Sequence, residues 1–223
     1  MTHTSRAARP SRVARLATLV PTALLGAVAM AGCGAESTAI EASSAEKVRT
    51  AAQVAGESPR TCPVTLNVAK ALRAGGQAGD ATFTEATASV STSEKPAEDP
   101  TQAQVDGTSL IDAFAATFIE CHYAVGEKNL KVSIVATPTS EVNALFLVLP
   151  TVQKDAQLAS AQVQGFVETA PAKGEVVLAG DRVATSRLDG RGPGDVALTL
   201  TGGGLSGEAL TQTAQALLQQ LRG

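Results

Sequence analysis

The stretch that decides the fold is TFIECHYAVGEKNLKVSIVAT, residues 117–137. Its first half alternates and puts Ile119, Cys121 and Tyr123 on one side of an extended chain. The residues 126–129, Gly-Glu-Lys-Asn, favour a turn, and alternation resumes after them. Period-two patterns on both sides of a short Gly-containing turn predict an antiparallel β-hairpin with one buried side.

Helical patterns flank this hairpin. Thr61 and Pro63 are typical of a helix start, and Gly75-Gly76 ends that helix. A second helix is predicted after the hairpin, with Ser140 as its N-cap and Pro150 kinking or dividing it. The last helix is predicted to begin near Ser206, and its apolar stripe consists of Leu210, Ala214, Leu217 and Leu221.

Two further strands are predicted before the last helix, one over residues 175–188 and one over residues 195–201. The turn between them, residues 189–194, reads DGRGPGD when Asp195 is included. The order is therefore α, ββ, α, ββ, α. We expect an α+β fold, a single domain over residues 60–223 with an antiparallel sheet built from two hairpins.

A long polar segment interrupts this pattern at residues 77–108, which contain many Thr, Ser and Glu residues and several Gly and Pro breakers. We expect an irregular loop here. Structureless loops of this length are either functional or disordered.

The first 32 residues are typical of an export signal. Four Arg and no acidic residue occupy residues 1–15, and an uncharged apolar run follows to Gly32. At about 17 residues, and interrupted by Pro21 and Gly26, that run lies at the lower limit for crossing a bilayer. We therefore predict a signal peptide and no membrane-spanning helix.

Residues 30–33, Met-Ala-Gly-Cys, resemble the lipobox of bacterial lipoproteins, whose usual form is Leu-Ala-Gly-Cys. The resemblance implies cleavage after Gly32 and attachment of a diacylglyceryl group to the thiol of Cys33. Two or more acyl chains on one residue give stable membrane residence. The expected location is the outer, extracytoplasmic face of the cell membrane. An ordinary secretory signal is the alternative.

Residues 33–59 contain few apolar side chains, and we expect a flexible tether that bears the lipid anchor. Because the leader holds four of the 18 basic residues and none of the 21 acidic ones, the rest of the chain carries a formal charge of −7. This charge, together with 3% aromatic residues, argues against nucleic acid as a partner.

The remaining cysteines are Cys62 and Cys121, an even pair in an exported chain, and we predict a disulfide between them. The bridge would close a loop of about 60 residues, which the chain-entropy model values at about 4 kcal/mol. Metal binding by Cys121 and His122 is the alternative. Neighbouring residues on a strand point to opposite faces, which disfavours it.

The element order, the two cysteines and the segment Leu178–Ala184 (LAGDRVA) together resemble a group of actinobacterial lipoprotein domains of unknown function. These look like PsbP-type α/β sandwiches. The resemblance covers roughly residues 60–222, and it implies a docking, scaffolding or sensing module and no chemistry.

Few residues suggest chemistry. The segment 202–207, GGGLSG, could cradle a phosphate, but it lacks the P-loop lysine and is more typical of a strand-to-helix connection. Arg182, Arg187 and Arg191 are more typical of a solvated strand than of an anion site. We expect no catalytic residues, no cofactor and no metal.

Three functions follow from these observations. The first is a lipid-anchored, extracytoplasmic binding or accessory domain without enzymatic activity. The second is a carrier that holds an apolar ligand between sheet and helices. Its cavity would be lined by Phe118, Leu145, Phe146 and Val196.

The third function is a hydrolase-like enzyme that uses His122 with Asp181 and Arg182, which requires these side chains to converge.

Overall fold

A computed structural model describes residues 42–140 and 143–222. The predicted export signal, the predicted cleavage site at Gly32 and Cys33, the predicted site of lipidation, lie outside the described residues. The elements are α1 (Ala45–Ala55), α2 (Val68–Ala74), β1 (Thr82–Val90), α3 (Pro100–Val105), α4 (Leu110–Ala113), β2 (Thr117–Val125), β3 (Lys128–Thr137), α5 (Ala144–Ala156), α6 (Ser160–Glu168), β4 (Val176–Ala179), β5 (Val183–Arg187), β6 (Asp195–Gly202) and α7 (Gly207–Arg222).

The predicted hairpin is confirmed as β2 and β3, which lie near the centre of a six-stranded antiparallel sheet of order β1-β2-β3-β6-β5-β4. In its register Cys121 faces Val132 and Ile119 faces Ile134. The side that the alternation predicts to be buried is buried. The α+β class and the antiparallel sheet are therefore confirmed.

Helices cover both faces of the sheet. On one face α1, α2 and α7 enclose the larger apolar core, to which the predicted stripe of α7 contributes all four of its residues. On the other face α5 and Phe166 of α6 cover β3, β6, β5 and β4. The side chains of β1 and most of β2 on that second face are not covered by a helix, and Glu85 and Thr87 are exposed there.

The second predicted helix differs from the structure at both ends. Its N-cap is Asn143, whose side chain accepts from the N–H of Leu145, and not Ser140. Pro150 lies inside α5 without dividing it, because the carbonyl that loses its partner belongs to Phe146 on the solvent side, where water can replace it. The division from α6 follows Gln157, in the left-handed conformation.

The prediction of an irregular loop over residues 77–108 is wrong for much of its length. Residues 82–90 form β1, an edge strand paired with β2, and α3 follows with Asp99 as its N-cap. The pattern is weak because only Ala86 and Ala88 of β1 are buried, and alanine is a poor strand former. Likewise, residues 175–188 form two paired strands, β4 and β5, and not one.

The predicted tether over residues 33–59 does not extend through α1. Ser44 caps this helix by accepting from the N–H of Lys47, and Val48, Ala51 and Ala52 are buried against the sheet. Small alanines let the helix approach β1, β2 and β3 closely.

The predicted disulfide is confirmed. Cys62 lies just before α2 and Cys121 lies in the middle of β2, and their Cα atoms are 5.6 Å apart. The bridge fastens the segment between α1 and α2 to the central hairpin, and both cysteines belong to the larger core.

Replacing Val48 tests whether α1 is part of the folded domain. Val48 is fully buried, so Val48→Ala should lower the free energy of unfolding by about 2 kcal/mol through lost burial and a cavity. Val54→Ala is the matched control on the same helix, because Val54 is 70% exposed, and we expect little change. Urea unfolding measures both, and equal effects would contradict a docked α1.

Tyr123 gives a pH test of the core, because burial raises its pKa to about 12. The unfolded chain ionises this phenol near pH 10, so the folded state holds the proton longer. Stability should therefore be intact below pH 10 and fall by about 2 to 3 kcal/mol between pH 10 and 12. Tyr123 is the only tyrosine, so phenolate absorbance reports it alone. A midpoint near 10 in the folded protein would contradict this burial.

Candidate functional site

The start of α1 packs tightly against the glycine-rich loop between β5 and β6. A Cβ atom on Gly190 would lie 2.8 Å from the carbonyl oxygen of Ser43. A Cβ atom on Gly194, where φ is +102°, would lie 2.7 Å from the Cβ of Ala45. Gly190 and Gly194 therefore allow the loop to approach the start of α1 closely, and at Gly194 also the carbonyl oxygen of Thr137. The sequence pattern indicates only a turn here.

A buried ion pair fixes the end of this loop. The side chain of Asp195 is fully buried, and Arg187 donates to both of its oxygens at 3.0–3.2 Å. The N–H of Ala144 donates to the same carboxylate at 2.8 Å, which joins the start of α5 to β6. Arg187, expected to be a solvated strand residue, instead compensates a buried charge.

An open pocket of about 250 Å³ lies beside this loop, between the first turns of α1 and the ends of β2 and β3. Its floor is formed largely by alanine and proline methyl and methylene groups, and Glu46 and Arg49 are its charged residues. The lining residues are Ala45, Glu46, Arg49, Ala115, Thr117, Ala136, Thr137, Pro138 and Pro193.

Arg49 is held at this pocket by backbone carbonyls. Its Nη2 donates to the carbonyl oxygens of Ser91 at 2.8 Å and Ser93 at 3.1 Å, and its Nη1 donates to that of Ala115 at 3.4 Å. Among the described residues, none of the ion pairs within 4.0 Å involves Arg49. The guanidinium is therefore positioned without being neutralised.

Two further features shape the pocket wall. Ala115 is buried with φ of +51°, a conformation that costs a non-glycine residue energy and that clusters at functional sites. Asp112 fastens the neighbouring chain, because it accepts from Ser109, from the N–H of Thr92 and from Ser91. These hydrogen bonds, with Ser109 first, lower the pKa of Asp112.

A polar cluster lies on the sheet face that α5 covers only in part, beside the edge of that helix. The Nε2 atom of His122 lies 2.9 Å from Glu120, and its Nδ1 lies 2.9 Å from the amide nitrogen of Asn129. Lys131 pairs with Asp155 of α5 at 2.6 Å. The polar groups of this cluster therefore contact one another. We interpret these contacts as structural, since they connect β2, β3 and α5.

The residues of the hydrolase hypothesis are not brought together. His122 faces Lys131, Lys131 faces Thr201, and Thr201 faces Val183 across successive strands. Three strand spacings correspond to roughly 14 Å. Arg182 instead donates to Gln157, and the carbonyl of Asp181 accepts from Gly207.

The four residues that the carrier hypothesis predicts around one cavity do not line a common cavity. Phe118 and Leu145 belong to the smaller core on one face of the sheet, whereas Val196 belongs to the larger core on the opposite face. Phe146 is 55% exposed. The pocket at α1 has no local sequence signal, because its residues come from four separate segments of the chain.

The glycine loop 202–207 connects β6 to α7. A Cβ atom on Gly204 would lie 2.6 Å from the Nζ atom of Lys128, so the exposed side chain of this lysine lies against the loop. Within residues 42–140 and 143–222, no group of three or more His, Cys, Asp or Glu residues is placed to hold a metal. No helix in these ranges is long and apolar enough to cross a membrane.

Comparison with known proteins gives no match to any family model, curated protein or solved structure.

Proposed function

We propose that this protein is a lipid-anchored, extracytoplasmic binding or accessory domain without enzymatic activity, and that the pocket at α1 is its binding site. The pocket is the observation that carries the proposal. Ligand sites are typically concave and mostly apolar, with a few placed polar groups. The α1 pocket has an apolar floor, two charged residues and a strained residue in its wall.

The remaining polar side chains support a binding role over a catalytic one. Both ring nitrogens of His122 are engaged by Glu120 and Asn129, and neither contact is to a hydroxyl or thiol nucleophile. We also propose that the antiparallel sheet with its helices belongs to the PsbP-like type of sandwich, which the sequence resemblance over residues 60–222 implies and which a mixed fold with one antiparallel sheet supports.

Filling the pocket tests the binding site. Decanol, a neutral apolar probe, should bind the chain of residues 33–223 carrying Cys33→Ser, which lacks both the predicted apolar leader and the acylated thiol and can be studied without detergent. Ala136→Leu should weaken this binding at least about tenfold, because the added side chain occupies the floor of the pocket. Calorimetric titration measures affinity, and NMR shifts at Thr137 report where the probe sits.

Ala136 is also packed in the core, so its replacement can unfold the domain. Thr117→Val is the second variant, since it keeps the shape of the wall and makes it more apolar, and it should bind decanol more tightly. Unchanged affinity in both folded variants, or no binding by the parent chain, would overturn the pocket as the site.

The lipid anchor has its own test. Intact-mass measurement of the protein from the membrane fraction should show a chain that begins at Cys33 and carries acyl groups there. A chain cleaved at another position, or an unmodified Cys33, would contradict the anchor and leave the ordinary secretory signal.

A further inference from the structure

We propose that the pocket at α1 takes a single-chain anionic amphiphile, an alkyl carboxylate of roughly ten carbons, with its carboxylate beside Arg49. This inference rests on the proposed function, because it names the chemistry of the ligand for the same pocket.

The charge of Arg49 is the first reason. A guanidinium has five N–H donors, and the described contacts to Ser91, Ser93 and Ala115 use three of them. Two donors remain, including the Nε–H, and all three described acceptors are neutral carbonyls. An anion in the pocket would bind a guanidinium that is already held in one orientation. Little side-chain entropy of Arg49 would therefore be lost on binding.

The size and lining of the pocket are the second reason. A cavity of 150 Å³ holds benzene, so about 250 Å³ has room for roughly ten carbon atoms. Three of the nine lining residues, Ala45, Ala115 and Ala136, have a methyl group as their whole side chain, which suits a slim alkyl chain better than a polar ligand.

The position of the pocket is the third reason. Its first lining residue, Ala45, is twelve positions after Cys33, so the proposed anchor holds the pocket within roughly 40 Å of the lipid along the chain. A ligand that is released from or delivered to the membrane surface would be concentrated near this opening.

Glu46 and Arg49 act in opposite directions on such a ligand. Both residues line the pocket, one turn apart on α1, but Arg49 is half-buried and Glu46 is exposed. The half-buried cation is screened less than the exposed carboxylate, so the net field favours an anion. Glu46→Gln should strengthen carboxylate binding further.

The experiment compares decanoate with decanol on residues 33–223 carrying Cys33→Ser, by calorimetric titration at low salt. The two probes share one alkyl chain, so their affinity ratio isolates the carboxylate. Decanoate should bind about fivefold to tenfold more tightly, and the ratio should fall as salt is added.

Arg49→Gln should reduce this ratio to about one while decanol still binds, and Arg49→Lys should keep most of it. Lys47→Gln is the matched control, because Lys47 carries the same charge on the exposed side of the same helix and is not among the residues that line this pocket. The ratio is insensitive to any fraction of unfolded protein, since both probes require the folded pocket.

The outcomes separate this inference from the proposed function. If decanol and decanoate bind equally to the parent chain, or if Arg49→Gln keeps the ratio, the anionic ligand is wrong and the apolar pocket stands. If Lys47→Gln lowers the ratio as much as Arg49→Gln does, the preference is a general charge effect and the inference is wrong. If neither probe binds, both proposals fail.

Discussion

The packing of α1 against the sheet is the interaction on which the candidate site depends. Without this helix, the ends of β2 and β3 would face solvent and Arg49 would have no fixed position. The close approach requires three matching surfaces: alanines on α1, glycines in the loop before β6, and small residues at the strand ends. None of these three surfaces forms a pocket by itself, and the pocket lies where the three are in contact.

Polar contacts, buried at Asp195 and more exposed at Asp112, then connect elements that share only a small apolar contact. Asp195 joins β5, β6 and the start of α5, and Asp112 joins α4 to the segment after β1. The Cys62–Cys121 bridge ties the chain after α1 to β2. A buried charge whose hydrogen bonds are all satisfied holds the surrounding elements in one arrangement, because moving them would leave the charge without partners. The pocket is therefore bordered by fixed elements on several sides.

The hairpin, the stripe of α7 and the disulfide could be predicted because each has a strong local signal: alternation over 117–137, four apolar residues at helical spacing, and a pair of cysteines. The edge strand β1 and the helix α1 could not. Both bury mainly alanine, which carries almost no periodic hydrophobic signal, and their stability comes from the surfaces they cover. The pocket could not be predicted for the same reason, because it is formed largely by alanines and by a loop whose glycines indicate only a turn.

Hydrogen exchange on the α1 amides tests the central role of this helix most directly. The amide of Val48 donates to Ser44 and the later amides of α1 donate within the helix, beneath which lies the larger core. If α1 is docked as described, these amides should be protected to a degree comparable with those of β2 and β3. Exchange at the rate of an unstructured peptide, with β2 and β3 still protected, would contradict the account of the pocket.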